Sequence, residues 1–127
     1  MMVYRLAVRA SYDAALFIPG ERGPSGRTHG HRYTVEAVLE ARQLDRSGFV
    51  ADLEGVQPRL AALAGELDHR LLNDLEPFRD TTPSAERQAE FFYQRLSLEI
   101  ENAYGPAVRL AMIRVTQEPE AWVEYEP

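Results

Sequence analysis

Alternating segments at the start of the chain constrain its fold more than any other feature. Residues 3–12 and 32–42 each place an apolar side chain at every second position, which is typical of a strand with one buried face. Further strands are predicted over residues 107–116 and 121–125. Between them, two segments repeat apolar residues at intervals of three and four, as amphipathic helices do. The order ββααββ therefore favours an α+β fold with antiparallel hairpins over a doubly wound sheet.

Capping and breaking residues indicate where these elements end. Asp52 is a candidate N-cap for the first helix, which runs to about Leu67. The sequence Thr82-Pro83-Ser84 opens the second helix, and Gly105-Pro106 ends it. A loop rich in glycine and proline spans residues 17–28.

The composition is typical of one globular domain, expected to span residues 1–127. The formal net charge of −6 argues against non-specific nucleic-acid binding, which needs a basic surface. The chain contains no apolar run of the roughly 18 residues that a membrane-spanning helix needs. Its first residues lack the apolar core of a signal peptide, so a cytoplasmic location is expected.

Two residue types are absent, and each absence excludes chemistry. All 14 basic residues are arginine, so no lysine is present to form a Schiff base or to clamp a phosphate. There is no cysteine to act as a thiolate nucleophile or metal ligand. Nucleophiles and general bases must therefore be histidine, carboxylate or hydroxyl side chains.

The three histidines fall into two short clusters, and the first is a His-Gly-His sequence. His29 and His31 lie two residues apart at the head of a predicted strand, so their side chains share the face of Tyr33. Two imidazoles on one face can bind one metal ion, and Gly30 leaves room for a ligand beside the backbone. A catalytic zinc ion usually has three protein ligands. The pair alone is incomplete, and two ordinary turn histidines are the alternative interpretation.

The second cluster is Asp68-His69, just past the first predicted helix. An aspartate near a histidine can orient the ring and raise its basicity for general acid–base work. Because sequence neighbours rarely hydrogen-bond each other directly, we expect the pair to serve a third group. The alternative is a helix C-terminus, in which His69 stabilises the dipole and Asn73 ends the turn.

Two glutamates complete the candidate residues. Glu118 ends a nearly apolar strand, where its carboxylate can accept two parallel N–H bonds from a pterin-like or guanine-like ring. A solvated glutamate at the end of a strand is the alternative. Glu86 lies in the first turn of the second helix, where its simplest role is to complement the helix dipole.

Six segments of the chain occur in an order that resembles one known family. Besides the His-Gly-His and Asp-His clusters, they are residues 12–15, residues 48–53, residues 82–86 and Glu118. Together they resemble the 6-pyruvoyltetrahydropterin synthase family, which includes the bacterial 6-carboxytetrahydropterin synthases of queuosine synthesis. The resemblance covers nearly the whole chain.

The resemblance implies a tunnelling fold, in which an antiparallel four-stranded sheet with two helices on one face assembles into barrels. It implies a homo-oligomer, trimer or hexamer, with active sites between subunits. The implied activity is a zinc-dependent carbon–oxygen lyase that eliminates triphosphate from 7,8-dihydroneopterin triphosphate and gives a 6-substituted tetrahydropterin. The metal ligands would be His29 and His31, and the proton carriers Asp68 and His69. The implied substrate-binding residues are Glu118, Glu86 and Ser84.

Two positions depart from the family pattern, and both correspond to residues that take part in the family's reaction. Leu16 stands where the family has its first zinc histidine, and Ser25 stands where it has a catalytic cysteine. Leucine cannot bind a metal ion, and a serine hydroxyl is a poor proton carrier unless a base activates it. Asp13 and Glu21 are the nearby carboxylates that offer a third ligand, and some family members use a glutamate near the cysteine position. A serine–base arrangement would instead join Ser25, His69 and Asp68.

Three hypotheses for the function follow. The first is a working synthase, and the second is a non-catalytic or divergent paralogue that keeps the barrel and the pterin pocket without a stable zinc site. The third is a related pterin or purine enzyme that uses other metal ligands or metal-free acid–base chemistry. The absence of lysine excludes a lysine-dependent aldolase.

Overall fold

The computed structural model describes residues 2–127 and follows the predicted element order, with one short strand added. A pair of long strands opens the chain, each helix follows a loop, and a second strand pair closes it. The elements are β1 (Tyr4–Leu16), β2 (His29–Ala41), α1 (Leu53–Leu67), β3 (Arg70–Leu71), α2 (Ala85–Tyr104), β4 (Arg109–Glu118) and β5 (Ala121–Tyr125).

The strands form a single five-stranded sheet in the order β3-β1-β2-β4-β5. All neighbours are antiparallel except β3, which pairs parallel with β1 at Ala14 and Ala15. The predicted four-stranded antiparallel sheet is therefore wrong in this one respect. A strand of two residues is too short to show the alternation on which sequence prediction depends.

The central hairpin is longer than the alternation predicted. β1 continues to Leu16 and β2 begins at His29, and the two strands pair over all 13 residues of each. Cross-strand hydrogen bonds hold Gly30 in the ladder although glycine disfavours strands by itself. The extension matters because it places both histidines of the first cluster inside a rigid strand.

Both helices pack on one face of the sheet, as expected for this α+β order. Tyr12 and Tyr33 stack at the centre of that face with ring centroids 5.2 Å apart, and Phe92 of α2 packs against Tyr12. No helix within residues 2–127 covers the opposite face, which carries cross-strand ion pairs such as Arg5–Glu40 and Arg9–Glu36. Neither α1 nor α2, nor any other helix within residues 2–127, has the length and apolarity needed to cross a membrane.

The two predicted helix caps behave differently. The Ser84 hydroxyl accepts a hydrogen bond from the N–H of Arg87 at 3.1 Å, which confirms the predicted cap of α2. Asp52 does precede α1, but its side chain makes no capping bond. Its carboxylate instead accepts a hydrogen bond from the Tyr104 hydroxyl at 2.9 Å, so it ties the start of α1 to the end of α2.

Gln88 is the fully buried polar side chain of α2, and its replacement is expected to destabilise the fold. Its Oε1 accepts a bond from the Tyr12 hydroxyl at 2.6 Å, and its Nε2 donates to the Pro83 carbonyl at 3.0 Å. Gln88→Leu leaves the Tyr12 hydroxyl and the Pro83 carbonyl without these hydrogen bonds in the core. We therefore expect the free energy of unfolding, measured by urea titration, to fall by about 2–4 kcal/mol. Gln94→Leu, at an exposed position of the same helix, is the control and should change stability little. Equal stabilities for the two variants would contradict this role for Gln88.

Candidate functional site

The His29–His31 pair lies where the ends of β1 and β2 are paired. In the register of the hairpin, His29 is opposite Leu16 and His31 is opposite Ala14. The two imidazole rings meet edge to face with centroids 5.0 Å apart, and His31 also contacts the ring of Tyr33. The structure therefore places both rings on the apolar side of the hairpin, as the spacing predicted.

A hydrogen bond of His29 and the burial of His31 influence where the protons of the pair lie. The His29 Nδ1 lies 2.7 Å from the carbonyl oxygen of Arg27, and because a carbonyl only accepts, Nδ1 is the donor, which leaves Nε2 as the nitrogen with the lone pair in a neutral ring. Burial, and secondarily the neighbouring His29, lower the pKa of His31 below its usual value, against an opposing influence of Glu118. A lowered pKa favours the neutral imidazole that can accept a proton or bind a metal.

A zinc site of the kind the resemblance implies does not fit these residues. The position opposite His29 is Leu16, which is only 4% exposed and part of the core. Asp13 cannot supply the missing third ligand. Successive side chains of a strand point to opposite faces, so Ala14 shares the face of His31, whereas Asp13 points to the other face and pairs with Arg32. The chain thus offers two nitrogen ligands where a catalytic zinc ion usually takes three.

Asp68 and His69 hydrogen-bond each other directly, which corrects the expectation that they serve only a third group. The Asp68 Oδ2 lies 2.9 Å from Nδ1 of His69. Direct contact between sequence neighbours is achieved here because α1 ends at Leu67 and His69 adopts a left-handed backbone with φ of 57°. The alternative of a simple helix end is also wrong in detail, since Asn73 does not end the turn. Its side-chain amide bonds both the N–H and the carbonyl of Phe17.

The peptide of Asp13 holds both members of this pair. Its N–H donates to Oδ1 of Asp68 at 2.8 Å, and its carbonyl accepts from the N–H of His69 at 2.6 Å. The bond from the Asp13 N–H, followed by the bond to His69, lowers the pKa of Asp68 below its usual value. Asp68 therefore remains a carboxylate that fixes the proton on Nδ1 of His69, and Nε2 is left free as a base.

The left-handed backbone at His69 predicts an unusual order of stabilities among variants. A residue with a Cβ atom pays about 1–2 kcal/mol in this conformation, whereas glycine does not. We expect His69→Gly to unfold with a free energy about 1 kcal/mol greater than that of His69→Ala, since both variants lack the imidazole. Urea denaturation of the two variants measures the difference. If the alanine variant were the more stable one, the left-handed conformation would not persist in solution.

A shallow groove brings the two histidine clusters together. Its volume is about 450 Å³, and His31, His69 and Gly30 are among the residues that line it. That volume is within the range of small-molecule sites. Within residues 2–127, the one group of three or more potential metal ligands found is Asp13, Asp68 and His69, and Arg32 already engages the Asp13 carboxylate. The lining of the groove therefore contains one histidine from each of the two clusters.

Glu118 is the last residue of β4, at an irregular point of the pairing with β5, and it lies close to His31. The pairing of β4 with β5 shifts between Thr116 and Glu118, which is a bulge. Bulges redirect side chains and are frequent next to active sites. The carboxylate is near enough to His31 to act on its pKa, and it is exposed to solvent.

Within residues 2–127, the predicted site residues that line the groove are His31 and His69, and Ser25, Ser84 and Glu86 lie elsewhere in the chain. Ser25 lies in a short turn of the β1–β2 loop, and within residues 2–127 no hydrogen bond or ion pair joins it to Asp68 or His69. Ser84 is the cap of α2, and Glu86 is exposed in the first turn of that helix. Glu21 also lies in the loop, where its backbone contacts Gly26 so closely that a side chain at residue 26 would collide with it.

Sequence reasoning missed two residues, Arg32 and Asn73, that hold the backbone and side chains next to the site. Arg32 binds Asp13 through two hydrogen bonds of 3.0 Å each, and Asn73 clasps the backbone of Phe17. The residue types alone give no signal for either contact. The contacts arise from the register between β1 and β2 and from the turn after β3, both of which join segments distant in sequence.

The comparison with known families agrees with this geometry. Residues 5–127 match the profile described as 6-pyruvoyl tetrahydropterin synthase. The chain belongs to this family. It is 31% identical over 120 residues to the 6-carboxy-5,6,7,8-tetrahydropterin synthase of Bacillus subtilis (strain 168), covering 91% of this chain and 80% of that protein.

A second relative carries a different activity in its name. The chain is 30% identical over 125 residues to the dihydroneopterin monophosphate aldolase of Pyrococcus furiosus, covering 98% of this chain and 99% of that one. Both relatives carry the name of a pterin enzyme, and the two names denote different reactions.

Solved structures confirm the tunnelling fold. The 6-pyruvoyl tetrahydropterin synthase of Caenorhabditis elegans superposes with a TM-score of 0.84 at 21% identity, covering 100% of this chain and 97% of that one. A Plasmodium vivax 6-pyruvoyltetrahydropterin synthase, in which a catalytic glutamate is replaced by alanine, gives a TM-score of 0.74 at 19% identity over the full length of both chains.

Proposed function

We propose that this chain acts on the side chain of a phosphorylated dihydropterin, and that its substrate is 7,8-dihydroneopterin triphosphate. The product would be a 6-substituted tetrahydropterin, formed by elimination of triphosphate and tautomerisation, in which the side-chain hydroxyl carbons become carbonyls as the C6=N5 bond of the ring gains two hydrogens. The observation that carries the proposal is the Asp68–His69 pair, in which His69 contacts Asp68 through Nδ1 and itself lines the groove. Membership of the family and the 31% identity to a carboxytetrahydropterin synthase support the same substrate class.

The proposed chemistry is proton transfer by His69. The Asp68 carboxylate keeps the proton on Nδ1, so Nε2 takes a proton from the substrate side chain as triphosphate departs with the bonding electrons. The imidazolium that results is stabilised by the adjacent Asp68 carboxylate. The His69 side chain is 78% exposed, which leaves it accessible to a substrate that enters the groove.

Recognition of the pterin ring is assigned to Glu118. A carboxylate can accept two parallel N–H bonds from the guanidine-like edge of a pterin, and Glu118 is exposed close to His31. Within one chain Ser84 caps α2, and Glu86 lies exposed in the first turn of that helix. We propose that they, and Ser25, complete the site across a subunit boundary in a trimeric or hexameric assembly.

No step of this proposal passes through zinc. His29 and His31 remain available to bind the substrate side chain or a metal ion, but Leu16 removes the third ligand position that their register would otherwise supply. Acid–base chemistry by His69 needs no metal ligand set, which favours it in this chain.

Aldol cleavage of a dihydroneopterin phosphate is the second candidate function. The near full-length identity of 30% to a dihydroneopterin monophosphate aldolase favours it. The chain has no lysine, so this cleavage would also depend on acid–base chemistry rather than on a Schiff base. The same residue, His69, would then take the proton from a side-chain hydroxyl.

One experiment separates these functions. Purified protein is incubated in parallel with 7,8-dihydroneopterin triphosphate and with dihydroneopterin monophosphate, and products are identified by mass spectrometry. Release of triphosphate with a 6-substituted tetrahydropterin supports the synthase, and release of a two-carbon phosphate fragment supports the aldolase. Tight pterin binding with neither product would show a non-catalytic paralogue and would reject both enzymatic proposals.

A further inference from the structure

Asp13 is the point at which the sheet holds the acid–base pair. Its N–H fixes one oxygen of Asp68, and its carbonyl fixes the N–H of His69. The short strand β3 begins directly after His69 and pairs with Ala14 and Ala15, the residues that follow Asp13. The location of the His69 ring therefore depends on where the peptide of residue 13 lies.

The side chain of Asp13 is itself held from the neighbouring strand. Arg32 is its cross-strand partner, and the Arg32 Nε and Nη2 atoms donate to the two carboxylate oxygens at 3.0 Å each. A bidentate guanidinium–carboxylate pair fixes direction as well as distance. The chain of contacts thus runs from Arg32 through Asp13 to Asp68 and His69.

We propose that Arg32 is a positioning residue for the reaction, acting through Asp13 on the Asp68–His69 pair. This inference rests on the proposed function. The ion pair is exposed, with 74% of the Arg32 side chain and 41% of the Asp13 side chain accessible, and exposed pairs contribute little to stability. The ion pair would instead contribute by fixing the position of the catalytic base, because a displacement of about 1 Å lowers turnover by about 100-fold.

The same sheet face offers a matched control. Arg5 and Glu40 form a cross-strand ion pair between the same two strands, and the Arg5 side chain is 61% exposed. That pair lies at the opposite end of the hairpin from His69. Arg5→Gln removes the same charge from the same ladder without touching the groove.

The test compares Arg32→Gln, Arg32→Lys and Arg5→Gln with the wild type. We expect Arg32→Gln to lower kcat by about 10–100-fold with little change in KM or in the thermal midpoint. Arg32→Lys should be intermediate, because an ammonium ion cannot span both carboxylate oxygens. Arg5→Gln should match the wild type. Unchanged kcat in Arg32→Gln would overturn the proposal, and a rise in KM alone would assign Arg32 to substrate binding instead.

Hydrogen exchange gives a reading that needs no activity. The amides of Asp13 and His69 donate the bonds that hold the pair, so Arg32→Gln should speed their exchange whereas Arg5→Gln should not. If the wild type turns over neither dihydropterin, the proposed function fails, and these two exchange rates still decide whether Arg32 holds the pair. Unchanged exchange at both amides would overturn the positioning role.

Discussion

Leu16→His is expected to convert a chain that retains little zinc into one that binds about one zinc ion per subunit. Residue 16 is directly opposite His29 in the register of the hairpin, and His31 projects from the same face. Side chains directly opposite across antiparallel strands have Cβ atoms about 4.5–5.5 Å apart. A histidine at residue 16 therefore adds a third nitrogen within reach of a common metal ion.

The readout is the metal itself, independent of any substrate. Wild-type and variant proteins are exposed to zinc, dialysed and analysed by mass spectrometry for metal per subunit. Without metal, Leu16→His places a histidine in the core where the wild type has a leucine, so the thermal midpoint should fall. Zinc at about 100 times its dissociation constant should raise the free energy of unfolding by about 2.7 kcal/mol. The midpoint of Leu16→His should therefore rise with zinc and fall with a chelator.

A double variant provides the control for this gain. Leu16→His with His31→Ala again has two histidines and should lose the tight zinc while keeping the same change at residue 16. Two results would contradict the prediction. Stoichiometric zinc in the wild type would mean that another residue completes the site, and failure of Leu16→His to hold zinc would mean that the paired strand ends do not converge as the register indicates.

Periodicity predicted the parts of this fold that depend on local sequence. The alternation of β1 and β2 and the apolar stripes of α1 and α2 survive because each buries one face against the same core. The two-residue strand β3 could not be predicted, since it exists only through parallel pairing with β1. The alternation alone stopped at residues 12 and 32, because long-range pairing rather than propensity keeps Gly30 extended.

The site was predictable to the extent that it depends on spacing. Two-residue spacing placed His29 and His31 on one face, and the structure retains that arrangement. The direct bond between Asp68 and His69 was not predictable, because it requires a left-handed backbone, which only a few per cent of non-glycine residues adopt. The contribution of Arg32 depends on strand register, which a single sequence does not specify.

His69→Gly is expected to lower kcat by about 10²–10⁴-fold, the usual contribution of a positioned acid–base group. Glycine is the better probe than alanine here, since it removes the imidazole and still accepts the positive φ of residue 69. The fold around Asp13 is then retained, and the loss of turnover reports the missing base rather than a displaced turn.

Glu118→Gln supplies the contrast that separates proton transfer from binding. It removes the charge that accepts the pterin N–H bonds, at a cost of about 1.5–3 kcal/mol, which corresponds to a rise in Kd of roughly 10–100-fold. His69→Gly should leave Kd for the dihydropterin within about 3-fold of the wild type, because a residue that acts only in the transition state does not change ground-state binding. Pterin fluorescence titration gives Kd and product release gives kcat. If His69→Gly kept full turnover, another group would have to remove the proton, and the free Nε2 of His69 would have no part in the reaction.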